Sequence, residues 1–195
     1  MSESKMVMIG FGVVGVILAL VLVFKSPEAG SGSGVDSRSL VIQGVNYLNG
    51  NGVTKDEPKG IELLKRAATL GHPEAQHRLG YLYTYGSEET EKDLEAGYNY
   101  YLQAAKQGVM DSMVNVGLAL ANGHGVTADI QDALKWWKKA SNRGSPVATG
   151  NVGRCFEVGL GQETNLDKAM EYYKKGVVLE DGGSMYHLAN MYFKG

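Results

Sequence analysis

Small residues recur along most of the chain at a nearly fixed spacing. Gly44, Gly80, Gly117 and Gly153 are separated by 36, 37 and 36 residues, and the next step falls on Ala189. Three positions after each stands a large apolar residue: Tyr47, Tyr83, Leu120, Phe156 and Tyr192. Three further on come Gly50, Gly86, Gly123, Gly159 and Gly195. A period of this length marks a stacked array of small helical units, not a single closed core. Such arrays are held together by contacts between neighbours and present extended surfaces to partners.

Four units align in register, at 39–71, 72–108, 109–144 and 145–180, and a fifth begins near Asp181. Each reads as two helices. In the second unit, apolar or small residues at Ala75, Leu79, Gly80, Leu82 and Tyr83 have helical spacing, and Gly86 ends that helix. The second helix of each unit carries a small residue, a large pair and further small residues. These pairs are Leu63-Leu64, Tyr100-Tyr101, Trp136-Trp137 and Tyr172-Tyr173. Small residues on both helices predict close packing within a pair, and the large pairs are expected to fill the space between one unit and the next. Asp56, Asp93, Asp129 and Asn165 stand just before the second helices, where they can accept free backbone N–H groups.

Leu79-Gly80-x-x-Tyr83-x-x-Gly86, Gly123-x-Gly125-Val126-x-x-x-Asp129 and Ala133-x-x-Trp136-Trp137-x-x-Ala140, followed by Gly144, are similar to the Sel-one-like repeat. That family is related to the tetratricopeptide repeat and has a slightly longer unit. The resemblance covers Ser39 to the C-terminus. It implies an all-α, right-handed alpha-alpha superhelical solenoid and a non-enzymatic role in complex assembly, envelope function, signalling or protein quality control. The chain departs from the pattern in places. The second unit replaces Gly-x-Gly-Val with Gly86-Ser-Glu-Glu-Thr-Glu-Lys-Asp93. The fourth has Glu180 where glycine is usual and Gly176 where alanine is usual, and the first has Leu63-Leu64 where aromatics are usual.

The other constraint lies upstream. Residues 6–24 are 19 uncharged residues between Lys5 and Lys25. As a helix they would span about 28 Å, close to the hydrocarbon thickness of a bilayer. The run is long for a signal peptide, and no small-x-small cleavage site follows it. A single transmembrane helix is therefore expected, after a short tail at 1–5 and before a Gly/Ser-rich linker at 25–38. Gly12, Gly15 and Ala19 share one side of it and predict packing against a second membrane helix. A very short N-terminus suggests that the repeats lie on the extracytoplasmic side, although flanking charges do not fix the orientation.

Several motifs resemble chemistry and dissolve on the repeat grid. Gly50-Asn-Gly52-Val53 and Gly123-His-Gly125-Val126 lack the third glycine and the βαβ context of a dinucleotide loop. They recur at the period and read as turns. His72, His77, His124 and His187 have no ligand-like spacing, so no metal is expected. Ser2-x-x-Lys5 matches a serine-nucleophile pattern but lies in the tail. The two Trp of Lys135-Trp-Trp-Lys-Lys139 sit on the packing grid. A net charge of -2 argues against nucleic acid. Cys155 is the only cysteine, so no internal disulfide forms. Some cysteine-rich relatives are linked to β-lactam hydrolysis, but this chain lacks their paired cysteines. It is therefore expected to need no cofactor and not to be an enzyme.

Functional residues are then sought off the grid. In the family this sequence resembles, first helices line the concave side of the superhelix. On the first helix of the second unit, Arg78, Tyr81 and Tyr85 share a face. The aligned residues are Asn115, Leu118 and Asn122, then Asn151, Arg154 and Val158, then His187, Asn190 and Lys194. This ladder of amide, guanidinium and aromatic groups suits a protein partner, expected to be membrane-associated. The last helix carries Met185, Tyr186, Leu188, Met191, Tyr192 and Phe193 without a polar outer face, and is expected to be covered by further chain or by a partner.

Overall fold

The structure, a computed structural model, describes residues 36–194. The expected membrane segment, with Gly12, Gly15 and Ala19, lies outside the described residues. Among the described residues no helix is long and apolar enough to cross a membrane.

Those residues form nine helices and no strand: α1 (Ser37–Asn49), α2 (Glu57–Thr69), α3 (Pro73–Tyr85), α4 (Leu94–Lys106), α5 (Met110–Asn122), α6 (Ile130–Ser141), α7 (Pro146–Val158), α8 (Leu166–Val178) and α9 (Gly182–Lys194). Each odd-numbered helix from α1 to α7 packs most extensively on the helix that follows it, and each such pair packs on the next through its second helix. The result is an all-α solenoid.

The helix boundaries follow from local chemistry. Asp56, Asp93, Asp129 and Asn165 cap α2, α4, α6 and α8, accepting from the backbone N–H of Lys59, Ala96, Asp132 and Lys168 at 3.0, 2.9, 2.9 and 2.9 Å. Gly50, Gly123 and Gly159 close α1, α5 and α7 in the left-handed conformation that a side chain disfavours. At the turn after each second helix, Gly71, Gly108 and Gly144 also take positive φ. The matching residue of the fourth unit is Glu180, which is held at φ 62 without glycine's freedom.

Packing within a pair rests on bare backbone. A Cβ on Gly60 would lie 2.8 Å from the Gly44 carbonyl oxygen, so α1 and α2 touch through main chain. At Gly80 and Gly153 a Cβ would meet the rings of Tyr101 at 2.6 Å and Tyr173 at 2.7 Å, and at Gly117 it would lie 2.6 Å from Trp137 Cδ1. The second residue of each large pair thus lies over the glycine of its own unit, where Tyr101, Trp137 and Tyr173 are buried. The first residue stacks on the same unit as well: Tyr100 on Tyr83, with centroids 5.7 Å apart, and Tyr172 on Phe156 at 5.6 Å. The rings thus close their own pair, and they also join the next unit: Tyr101 belongs to one buried cluster with Met113 and Val116 of α5, and Trp137 to the same cluster with Val152 of α7. Tyr173 likewise reaches the next unit, where it stacks on His187 of α9 with centroids 5.1 Å apart. Trp137 donates its ring N–H to the Val114 carbonyl at 3.2 Å, satisfying a buried donor.

Candidate functional site

The ladder residues project from α3, α5, α7 and α9, because a helical turn repeats every i, i+3 and i+7 while the opposite face is taken by packing. Tyr81, Tyr85, Leu118 and Val158 are exposed at 56%, 55%, 39% and 54%, and other large apolar groups off the ladder, such as Leu70 and Val178, are exposed as well.

The structure gathers most of the ladder into three clefts. The first, about 470 Å³, holds Arg78 and Tyr81 beside residues of α1 and the start of α2. The second, about 440 Å³, brings Tyr85 of α3 together with Asn115, Leu118 and Asn122 of α5, and has Leu94, Tyr98 and Tyr101 of α4 as its wall. The third, about 240 Å³, joins Asn151 and Arg154 of α7 to His187 of α9. Val158 lines none of these clefts.

Not every ladder group is free to bind. Arg78 Nε lies 2.7 Å from Glu74 Oε1, an ion-pair distance, although its N–H does not point along a hydrogen bond. The Asn122 amide donates back to the Leu118 carbonyl of its own helix at 2.9 Å. Asn151 Nδ2 is buried with no partner. The Tyr81 and Tyr85 rings lie 4.7 Å apart and form one continuous aromatic surface.

A network that the ladder spacing does not reveal joins α7, α8 and α9. The Tyr173 hydroxyl donates to Glu157 Oε2 at 2.6 Å, and His187 Nδ1 lies 3.1 Å from the same oxygen. Burial pushes the Tyr173 phenol well up, and the hydrogen bond to Glu157 adds to the shift. Glu157 and His187 lie 30 residues apart at different repeat positions, so neither the period nor helical spacing pairs them. Elsewhere, His77 Nδ1 lies 2.8 Å from the buried Ser112 hydroxyl, and burial holds the imidazole below its ordinary value of 6.5.

The two side chains best placed for nucleophilic chemistry are shielded by burial. Cys155 is buried, and desolvation pushes its thiol up, away from the reactive thiolate. Ser112 pairs with a histidine but is 0% exposed, so no substrate reaches it. Among the described residues no three His, Cys, Asp or Glu side chains come together as metal ligands.

Known proteins share this architecture. The sequence pattern of the Sel1 repeat matches residues 44–72, 73–109, 111–145, 146–177 and 183–195. The fold is similar to that of a protective antigen present in uropathogenic Escherichia coli strains, with a TM-score of 0.77 and 31% identity, over 82% of this chain and 34% of that one. A Sel1 repeat protein from Oxalobacter formigenes gives a TM-score of 0.77 at 26% identity, over 80% of this chain and 64% of that one. DAP3-binding cell death enhancer 1 of Rattus norvegicus is 32% identical over 84 residues, which are 43% of this chain and 16% of that protein. The chain thus spans less than two thirds of each of these relatives.

Proposed function

This chain belongs to the Sel1 repeat family, and from that premise we propose that it is a non-enzymatic adaptor that holds a protein partner along the first-helix ladder. The observation that carries this reading is the run of three clefts, each opening between first helices of successive units and each lined by ladder residues. Tyrosine and arginine dominate binding energy at protein interfaces when water is excluded around them. Tyr81, Tyr85 and Arg154 are therefore the anchors, with Asn115 and Asn151 supplying paired donors and acceptors. The name of the rat relative describes binding to another protein, which favours the same class of function for the shared repeats.

The adaptor is tethered to a membrane by residues 6–24, with the repeats on the extracytoplasmic side. Support for the tether is the sequence itself, an uncharged run between Lys5 and Lys25. In this reading Gly12, Gly15 and Ala19 pack against a membrane helix of the same complex. The test is crosslinking of the full-length protein in its native membrane, followed by pull-down and identification of attached proteins. Reproducible recovery of the same membrane-associated partner is the expected result. Recovery of no partner across repeated preparations overturns the adaptor reading, and recovery of the chain in the soluble fraction overturns the tether.

A further inference from the structure

Two departures from the repeat pattern meet at one place. The first residue of the second helix is Leu94 in α4, Ile130 in α6 and Leu166 in α8, but Glu57 in α2. Glu57 is 8% exposed, against 39% for Leu94 and 56% for Leu166, so this residue sits deeper than its counterparts at the start of α4 and α8. It is not the cap, because Asp56 accepts the Lys59 N–H at 3.0 Å. The second departure is the loop between α3 and α4. In the third and fourth units the loop glycine, Gly125 or Gly161, lies against the backbone of Leu94 or Ile130 at the start of the preceding unit's second helix, with little room for a Cβ. The second unit has Ser87 and Glu88 in this part of the loop, and the Ser87 hydroxyl donates a hydrogen bond to the Glu57 carboxylate.

Glu57 and Ser87 line the cleft of about 470 Å³, together with Leu48, Asn49, His77 and Tyr81. The cations around it do not neutralise Glu57. Arg78 is held by Glu74, Lys55 is exposed, and among the described residues no Lys, Arg or His nitrogen lies within ion-pair distance of the Glu57 carboxylate. A buried carboxylate without a counter-charge is costly, and the N-terminus of α2 offsets only part of that cost. Ser87 uses one oxygen of the carboxylate and leaves acceptor capacity for a second donor. The walls suit a thin aliphatic stem, with Leu48 on one side and the exposed Tyr81 ring, which attracts cations, on the other.

We propose that this cleft takes a lysine side chain of the protein partner, with its ammonium on the Glu57 carboxylate and its methylene stem along Leu48 and Tyr81. A compact ammonium suits a single carboxylate oxygen, whereas a guanidinium is favoured most where both oxygens are open to its fork of donors. This inference rests on the protein-binding reading above. It makes the first repeat the position that fixes the register of the partner along the ladder.

The test is a selection from a random-peptide display library on the full-length chain, repeated on Glu57→Gln and Glu57→Leu. The leucine variant restores the residue type of the other units, and both variants are checked by thermal melting. Peptides that bind the parent chain should share a lysine at one position. Replacing that lysine by norleucine or Nε-acetyl-lysine should weaken binding roughly tenfold or more, as loss of a charge-assisted contact does. The Glu57 variants should show the same loss and no longer discriminate between the three peptides. Binding peptides with no shared lysine, or with arginine in its place, overturn the inference and leave the protein-binding surface standing. Equal affinity of folded Glu57→Gln for the lysine and norleucine peptides overturns it as well. A library that yields no binder at all overturns the protein-binding reading, and this inference with it.

Discussion

Gly117→Ala adds one methyl group where a buried ring lies directly on the backbone of its partner helix. The new Cβ would lie 2.6 Å from Trp137 Cδ1 and 2.7 Å from Cε2, whereas carbon atoms rest at about 3.5–4.0 Å. The indole must therefore retreat by about 1 Å in a site where it is 5% exposed. That movement strains the bond from the ring N–H to the Val114 carbonyl, 3.2 Å long and buried. Overpacking costs about 1–3 kcal/mol, and a buried donor left without its partner costs about 1–3 kcal/mol. Alanine returns about 1 kcal/mol of helix propensity. The net loss is about 3 kcal/mol, which lowers the melting midpoint by roughly 6–12 °C for a domain of this size. The control is Gly182→Ala, because a Cβ there meets nothing within 4 Å. That change should leave the midpoint unmoved or slightly raised. Differential scanning calorimetry on both variants decides the matter. A Gly117→Ala protein as stable as the Gly182→Ala protein would refute the claim that rings lying on bare backbone hold each helix pair together.

Other outcomes follow from the same geometry. Glu180→Gly should raise stability by about 0.5–1 kcal/mol in chemical denaturation, because the left-handed penalty at φ 62 exceeds the extra chain entropy of glycine. No gain would mean that the Glu180 side chain has a stabilising contact of its own. His77 titrates below 6.5 in the fold because burial disfavours its charged form, against the opposing pull of Glu74 and Asp111 and with the help of Arg78. The unfolded chain therefore binds a proton first as pH falls. The stability linked to His77 is complete above its unfolded value, 6.5, and is lost as pH drops below it. His77→Gln should flatten the stability profile in that window relative to the parent, as read by urea titrations at several pH values. An unchanged slope contradicts the burial argument.

The helix pairs were readable because the period fixes which positions recur. Gly80, Gly117 and Gly153 and the rings opposite them each recur one unit apart, and the caps Asp56, Asp93, Asp129 and Asn165 follow from side-chain chemistry alone. The destination of the rings was harder. A residue that recurs once per unit can face its own partner helix or the next unit with the same spacing, so the period that marks Tyr101 and Trp137 as inter-unit filler does not reveal that they also lie over Gly80 and Gly117 of their own unit. The shared face of the ladder was legible for the same reason, and Arg78, Tyr81, Asn115, Leu118, Asn151 and Arg154 of it line clefts. Val158 does not, because helical spacing assigns a face but not whether a neighbouring helix makes a wall there. Glu57 was hidden by its own plausibility. An acid in a first helical turn is favoured by the helix dipole, and only its depth in the structure separates it from a surface residue.

The measurement that bears most directly on the ladder is partner affinity, with the crosslinked partner purified and titrated against ladder variants. Tyr81→Ala, Leu118→Ala and Arg154→Ala combined should weaken binding at least a hundredfold, since hot-spot truncations cost about 2 kcal/mol or more apiece. The melting curve should barely move, because Tyr81 and Leu118 are exposed and Arg154 packs at the surface. A triple variant that binds as tightly as the parent chain would contradict the account and move the binding surface off the first helices.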